Sequence, residues 1–155
     1  MIEKKLYNFI RNQEFVTLST VNYNGSPHVS PKLFLKMEKE YIYLLDYLVG
    51  TTFENLKENN KVSISTFDIQ DVKGFHIYGK ASILESGPRY DKLMTEWNER
   101  QLKMATEKVS QAVRGTQNIR SLKLTLLKPV EIYKIKIEKI RFVNSEGVLV
   151  AEDIT

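Results

Sequence analysis

The chain has 155 residues, of which 42% are hydrophobic and 27% charged, and its formal net charge is +4 at pH 7. This size and balance are typical of one soluble globular domain. They give no reason to expect a nucleic-acid partner, because 19 acidic residues are interspersed among 23 basic ones. The absence of cysteine excludes disulfides and thiolate metal sites. No signal-peptide pattern and no membrane-spanning apolar run are present, so we expect a cytoplasmic protein without a membrane partner.

The first third of the chain has the pattern of one helix followed by three strands. Apolar residues three and four positions apart predict a helix over residues 2–13. Pro31 predicts an edge or bulged position in the second strand, because proline cannot donate a hydrogen bond to a neighbouring strand. The predicted strands, the first two joined by the turn signal Asn24-Gly25, are Phe15–Val21, His28–Lys36 and Tyr41–Asp46.

The stretch that follows predicts a loop, one short helix and a strand over Val62–Phe67. Thr51 followed three residues later by Glu54 fits a capping box at the start of the helix. A helix start after a strand and Gly50 exposes unpaired backbone N–H groups, which form a natural anion site. The alternative is that Glu54 only satisfies its own helix end.

The second half of the chain contains one helical region between further strands. Phe75–Leu84 reads as a fifth strand with a bulge or a point of close backbone approach at Gly79, and residues 88–115 read as a helical insertion. A break in that helix is expected near Ala105. Together the short strands and few helices favour a small, mainly β barrel in a single domain over residues 1–155. The remaining strand patterns are Leu122–Leu126, Ile132–Ile137 and a tail within Glu146–Ile154.

Several segments in this order resemble the pyridoxamine 5′-phosphate oxidase-like family of FMN-binding split barrels. They are NGSPHVSPK at 24–32, YIYL at 41–44, TT at 51–52, NLKEN at 55–59 and VSIS at 62–65. The resemblance implies a six-stranded Greek-key split β-barrel that forms a homodimer with FMN at the interface. It extends over about 70 residues, from Glu14 to Leu84, and does not reach the helical insertion.

The resemblance also implies which residues hold the flavin. The phosphate would be bound by strand-two residues and by the start of the helix after strand three, and backbone groups at the end of strand three would lie along the flavin ring. Carried onto this chain, the phosphate residues are Ser30, Lys32, Thr51 and Thr52, and the ring residues are Leu45, Asp46 and Tyr47. Alternatively, Lys32 is a strand residue whose side chain is solvated.

The family pattern is not complete here. Members often carry a lysine or arginine near the position of Thr51 or Phe53, and the strand-two arginine of the true oxidase is replaced by Ser30. Two function classes therefore stay open. One is an FMN-dependent oxidoreductase that takes hydride from a nicotinamide donor or another small-molecule substrate, with no catalytic side chain assigned. The other is a non-catalytic flavin-carrying or ligand-sensing dimer with weak or lost flavin binding. The two histidines show no metal-binding spacing, so no metal site is predicted.

Overall fold

The computed structural model describes residues 1–47, 49–115, 131–147 and 149–154. This part of the chain contains three helices and seven strands. The helices are α1 (Ile2–Ile10), α2 (Thr51–Glu58) and α3 (Pro88–Val113). The strands are β1 (Phe15–Val21), β2 (Pro27–Glu38), β3 (Tyr41–Asp46), β4 (Lys61–Asp68), β5 (Lys73–Leu84), β6 (Glu131–Val143) and β7 (Leu149–Asp153).

Six antiparallel strands close into a barrel in the order β3-β2-β1-β4-β5-β6, with β3 pairing to β6. After the β1-β2-β3 meander the chain returns to pair β4 with β1, which is the Greek-key connection. β6 has thirteen residues because its first half pairs with β3 and its second half with β7. The predicted six-stranded Greek-key barrel is confirmed, with β7 as an extra strand.

The barrel core is built from the alternate residues that face inward on each strand. Leu18 and Ile64 on neighbouring strands are almost fully buried, as are Ile42 and Ile135 on the opposite wall. α1 contributes three residues at four-residue spacing, so that one helix stripe joins the core. These residues are Ile2, Leu6 and Ile10.

Two irregularities expected from the sequence are present. Pro31 lies where β2 pairs only with β1, since pairing with β3 begins at Leu33. The register shift between Tyr78 and Gly79 skips Glu138, so the bulge lies on β6 opposite Gly79 rather than on β5. A side chain at Gly79 would collide with the backbone carbonyl of Lys136, so this position requires glycine.

The chain divides into two compact units, Met1–Leu84 with Val130–Thr155 as one, and Glu85–Pro129 as the other. α3 belongs to the second unit and is continuous, so the predicted break near Ala105 is wrong. The predicted pattern at Leu122–Leu126 lies outside the described residues. Over the described ranges, none of the helices combines the length and the apolar character needed to cross a bilayer. One domain with a helical insertion at about 88–115 stays a prediction.

Candidate functional site

The start of α2 is an uncapped helix N-terminus. Gly50 is the N-cap residue in an extended conformation, and no side chain makes a capping hydrogen bond there. The first helical bond runs from the Glu54 N–H to the Gly50 carbonyl at 3.1 Å. The predicted capping box is therefore wrong, because Thr51 is already the first helical residue and cannot act as the cap. The N–H groups of residues 51–53 have no helical acceptor and are available to an anion.

The two threonines at this helix start are in different environments. Thr51 is exposed, whereas Thr52 retains only 2% of its accessible surface. The Thr52 Oγ1 atom is buried and makes no hydrogen bond with any described residue. A buried hydroxyl without a partner costs about 1–3 kcal/mol, so a group that bonds to it would recover that energy.

The rest of α2 fixes this start against the barrel. The Asn55 side chain donates a hydrogen bond from Nδ2 to Thr20 Oγ1 at 3.0 Å, and both residues are buried. On the exposed side the Lys57 ammonium lies 3.3 Å from the Glu54 carboxylate and 4.3 Å from the centre of the Phe53 ring. Glu54 is thus neutralised by Lys57 and does not bond to the N-terminal N–H groups. Lys57 is the only cation in α2.

Lys32 is neither a solvated residue nor a free cation. Its ammonium lies 2.6 Å from Asp46 Oδ2, and its side chain is only 6% exposed. Lys32 shares the inward face of β2 with the core residue Phe34, and Asp46 shares the inward face of β3 with Leu44. The strand register then places lysine and carboxylate next to each other inside the barrel.

Glu131 and Tyr133 of β6 belong to the same group as Lys32 and Asp46. We call these four residues the inner charge cluster. The Tyr133 hydroxyl donates a hydrogen bond to Asp46 Oδ2 at 3.1 Å. Burial raises the pKa of Tyr133 far above its ordinary value, and the negative charge of Asp46 raises it further. Glu131 lies directly across from Asp46 in the β3–β6 pairing and is also buried. The cluster therefore keeps a neutral phenol beside a buried ion pair.

Three predicted residues remain outside these groups. The half-buried Ser30 places its hydroxyl 3.4 Å from the Pro31 carbonyl, a long hydrogen bond. Leu45 is buried between its partners on β2 and β6, and Tyr47 is half-buried just beyond β3.

The predicted phosphate residues form two sets. Lys32 contacts Asp46, and Thr51 adjoins Thr52 at the start of α2. No hydrogen bond or ion pair of the described chain joins Ser30 or Lys32 to either threonine. Tyr133 and Glu131 were not among the predicted site residues. Because Tyr133 and Ile135 lie on either side of Lys134 in the predicted strand, the sequence indicated that Tyr133 points inward. It did not indicate that the Tyr133 hydroxyl contacts a carboxylate on β3.

Metal binding has no support in the part of the chain that the structure describes. No three histidine or carboxylate side chains there are close enough together to hold a metal ion. His28 is half-buried on β2, and His76 is exposed on β5.

A family model described as pyridoxamine 5′-phosphate oxidase matches residues 2–144. The chain belongs to the pyridoxamine 5′-phosphate oxidase family. The match extends beyond the segments that carried the sequence resemblance and includes α1 and β6. A search among curated proteins finds no significant match.

Several solved structures share the fold at low sequence identity. HupZ of Group A Streptococcus is 20% identical, with a TM-score of 0.66, and the alignment covers 97% of this chain and 99% of that chain. An FMN-binding protein related to pyridoxamine 5′-phosphate oxidase from Nostoc punctiforme is 12% identical, with a TM-score of 0.59 and coverage of 99% and 95%. General stress protein 26 from Bacillus anthracis is 19% identical, with a TM-score of 0.60 and coverage of 97% and 98%. At these identities the likeness shows the fold alone.

Proposed function

We propose that the protein binds FMN and holds the flavin phosphate at the start of α2. The observation that carries this proposal is the buried, unsatisfied Thr52 hydroxyl beside an uncapped helix N-terminus. A phosphate there would accept hydrogen bonds from the first N–H groups of α2 and from the hydroxyls of Thr51 and Thr52. The positive end of the helix dipole favours the same position. The existence of an FMN-binding relative with this fold supports the choice of ligand.

The residues present fit the phosphate through neutral donors rather than through a cation. Lys32 is already bonded to Asp46, and Lys57 is bonded to Glu54. In our proposal Lys32 therefore acts on the flavin indirectly, by fixing Asp46 at the end of β3. Ser30 remains a candidate for a polar contact from β2.

The flavin ring is proposed to lie along the backbone of Leu45, Asp46 and Tyr47. FMN, when bound, supplies hydride-transfer chemistry, for which the protein need only bind and orient the reactants. The Lys32–Asp46 ion pair and the Tyr133 hydroxyl keep the end of β3 rigid, which suits a surface that orients a planar ring. The reaction we propose is oxidation of a nicotinamide donor or of another small reduced substrate.

A second candidate is a flavin-carrying protein without catalytic activity. Among the described residues, Lys32 and Lys57 are each already paired with a carboxylate, which favours this candidate, because a phosphate bound through neutral groups is bound less tightly. The two candidates share one flavin site and differ in whether bound FMN is reduced by an added donor.

Fluorescence titration with FMN and riboflavin tests the phosphate site. Riboflavin lacks the phosphate, so FMN should bind at least about ten-fold more tightly, since about 1.4 kcal/mol corresponds to one decade. The isosteric variant Thr52→Val should weaken FMN by a similar factor and leave riboflavin unchanged. Without flavin the same variant should be more stable than the wild type, because the unsatisfied buried hydroxyl is gone.

Thr66→Val is the matched control, because Thr66 is an equally buried threonine that lies on β4. It should leave the ratio of FMN to riboflavin affinity unchanged. Equal affinity of the wild type for the two flavins would refute the phosphate site at α2. Once FMN is bound, loss of the visible absorbance of oxidised flavin on anaerobic addition of NADH or NADPH identifies the oxidoreductase.

We further propose that the barrel forms a homodimer through an exposed apolar patch of Phe15, Phe67, Ile69 and Val72. Each of these side chains is 45% exposed or more. Phe15 and Phe67 line the same open cavity on the outer surface of β1 and β4, and the other two occupy the turn that follows β4. Such a patch indicates a protein–protein contact. Light scattering should give twice the chain mass for the wild type, and Phe67→Ser should shift it toward the monomer, whereas Tyr23→Ser should not.

A further inference from the structure

A second pocket lies between α1 and the paired strands β5 and β6. Its volume is about 310 Å³, and it shares no residue with the proposed flavin site. All of its lining residues belong to the barrel unit. The pocket, which we call the aromatic pocket, is lined by Lys5, Asn8, Phe9, Lys73, Phe75 and Phe142.

Three phenylalanines form the apolar part of this pocket. Phe75 is almost fully buried, and its ring centre lies 5.3 Å from that of Phe9 and 5.0 Å from that of Phe142. Both pairs are tilted, with interplanar angles of 53° and 45°. The rings thus present both faces and edges, a geometry that suits another planar aromatic ring better than a flexible alkyl chain.

The polar part of the pocket carries positive charge. The Lys5 ammonium lies 5.6 Å from the centre of the Phe142 ring, and no carboxylate of the described chain pairs with it. Lys73 is already paired with Asp71. The Asn8 side chain makes no hydrogen bond with any described residue, although its backbone carbonyl accepts one from Asn12. An ammonium and a carboxamide are therefore both available to a ligand at the edge of an aromatic surface.

We propose that the aromatic pocket binds a planar aromatic carboxylate of one or two rings. The carboxylate would accept hydrogen bonds from Lys5 Nζ and Asn8 Nδ2, and the ring would pack against Phe9 and Phe142, which in turn contact the buried Phe75. The volume is at the lower end of the range for small-molecule pockets, which fits one or two rings and is too small for a whole flavin nucleotide. A charge-assisted hydrogen bond and an aromatic contact together distinguish this ligand from a neutral arene and from an aliphatic acid.

Three probes separate these contributions: 2-naphthoate, 2-naphthalenemethanol and hexanoate. Titration of the full-length protein, followed by amide chemical shifts, should give saturable changes for 2-naphthoate at Lys5, Phe9, Phe75 and Phe142. 2-Naphthoate should bind about ten-fold more tightly than each of the other probes. Lys5→Met should remove that advantage over the neutral alcohol, whereas the neighbouring and exposed Lys4→Met should preserve it.

The proposal is overturned if 2-naphthoate causes no saturable shifts up to about 5 mM, a concentration that would detect even millimolar affinity. It is equally overturned if the shifts map away from the pocket, or if the alcohol binds as tightly as the acid. FMN titration of Lys5→Met separates this proposal from the proposed function, since flavin affinity should be unchanged in that variant. Phe142→Leu provides a second variant that keeps the core filled and should weaken both aromatic probes.

Discussion

The buried ion pair between Lys32 and Asp46 makes a sharp prediction about stability. Lys32→Met removes the charge that neutralises Asp46 while keeping most of the volume of the side chain. The Asp46 carboxylate, 11% exposed, then loses the ammonium that lies 2.6 Å from it and keeps the hydrogen bond from the Tyr133 hydroxyl. Removal of one partner of a buried pair costs about 3–5 kcal/mol, because an uncompensated charge remains.

The geometry of the pair supports a value in this range. At 2.6 Å and an effective dielectric constant of about 20, the Coulomb attraction is roughly 6 kcal/mol, and the desolvation of both ions opposes it. For a chain of this size, a loss of 3–5 kcal/mol lowers the melting temperature by about 6–20 °C. Replacement of both charges, by Lys32→Met with Asp46→Leu, should be far less costly than Lys32→Met alone, because neither member of the pair is left without its partner.

Urea denaturation of the single and double variants measures these differences. The matched control is the Lys80–Glu138 pair, whose atoms lie 3.2 Å apart but whose side chains are about half exposed. Lys80→Met should cost no more than about 1 kcal/mol, as is usual for surface pairs. If Lys32→Met also costs less than about 1 kcal/mol, the ammonium reaches solvent or another anion, and the buried pair is refuted.

Other changes test the fold at separate places. Because its pKa is raised by burial and by a neighbouring carboxylate, Tyr133 keeps its proton above about pH 10, where the unfolded chain loses it. Stability should therefore fall by about 1.4 kcal/mol per pH unit above pH 10, and alkaline urea titrations of Tyr133→Phe should show a shallower fall. Lys136 lies directly opposite Lys80 in the β5–β6 pairing, so Lys136→Thr should stabilise the protein by about 0.2–1 kcal/mol at low salt, and by less at about 1 M salt. Val72 has a positive φ of 47°, so thermal unfolding should show Val72→Gly to be stabilised by about 0.5–1 kcal/mol, whereas Ile69→Gly in the same turn should not be stabilised.

The strands near the start of the barrel could be predicted closely from the sequence. The bounds of β3, Tyr41–Asp46, are those predicted, because Lys39 and Glu40 precede the apolar run and Asp46 interrupts it. β2 continues to Glu38 rather than Lys36, since its pairing with β3 continues across a bulge at Leu35. β6 likewise continues beyond Ile137 to Val143 because β7 pairs with its second half. Such extensions depend on tertiary partners that no local pattern contains.

The start of α2 could be located from the sequence but its chemistry could not. The threonine and glutamate spacing fits a capping box, yet glycine is also an accepted N-cap residue and Gly50 takes that position. Glu54 therefore does not cap the helix, and its partner is Lys57, one helical turn later. Likewise, the contact of Lys32 with Asp46 depends on the register between β2 and β3, which the sequence does not specify.

The inner charge cluster also restricts where a flavin phosphate can bind. The Lys32 ammonium is already paired with Asp46, and Tyr133 stays neutral. A phosphate there would have to compete with the Asp46 carboxylate for the ammonium. The α2 start differs, because its dipole end is positive and the Glu54 carboxylate is paired with Lys57. The electrostatics therefore favour our proposal that the phosphate binds at Thr51 and Thr52. The predicted residues of β2 and β3 are then left to support the flavin ring.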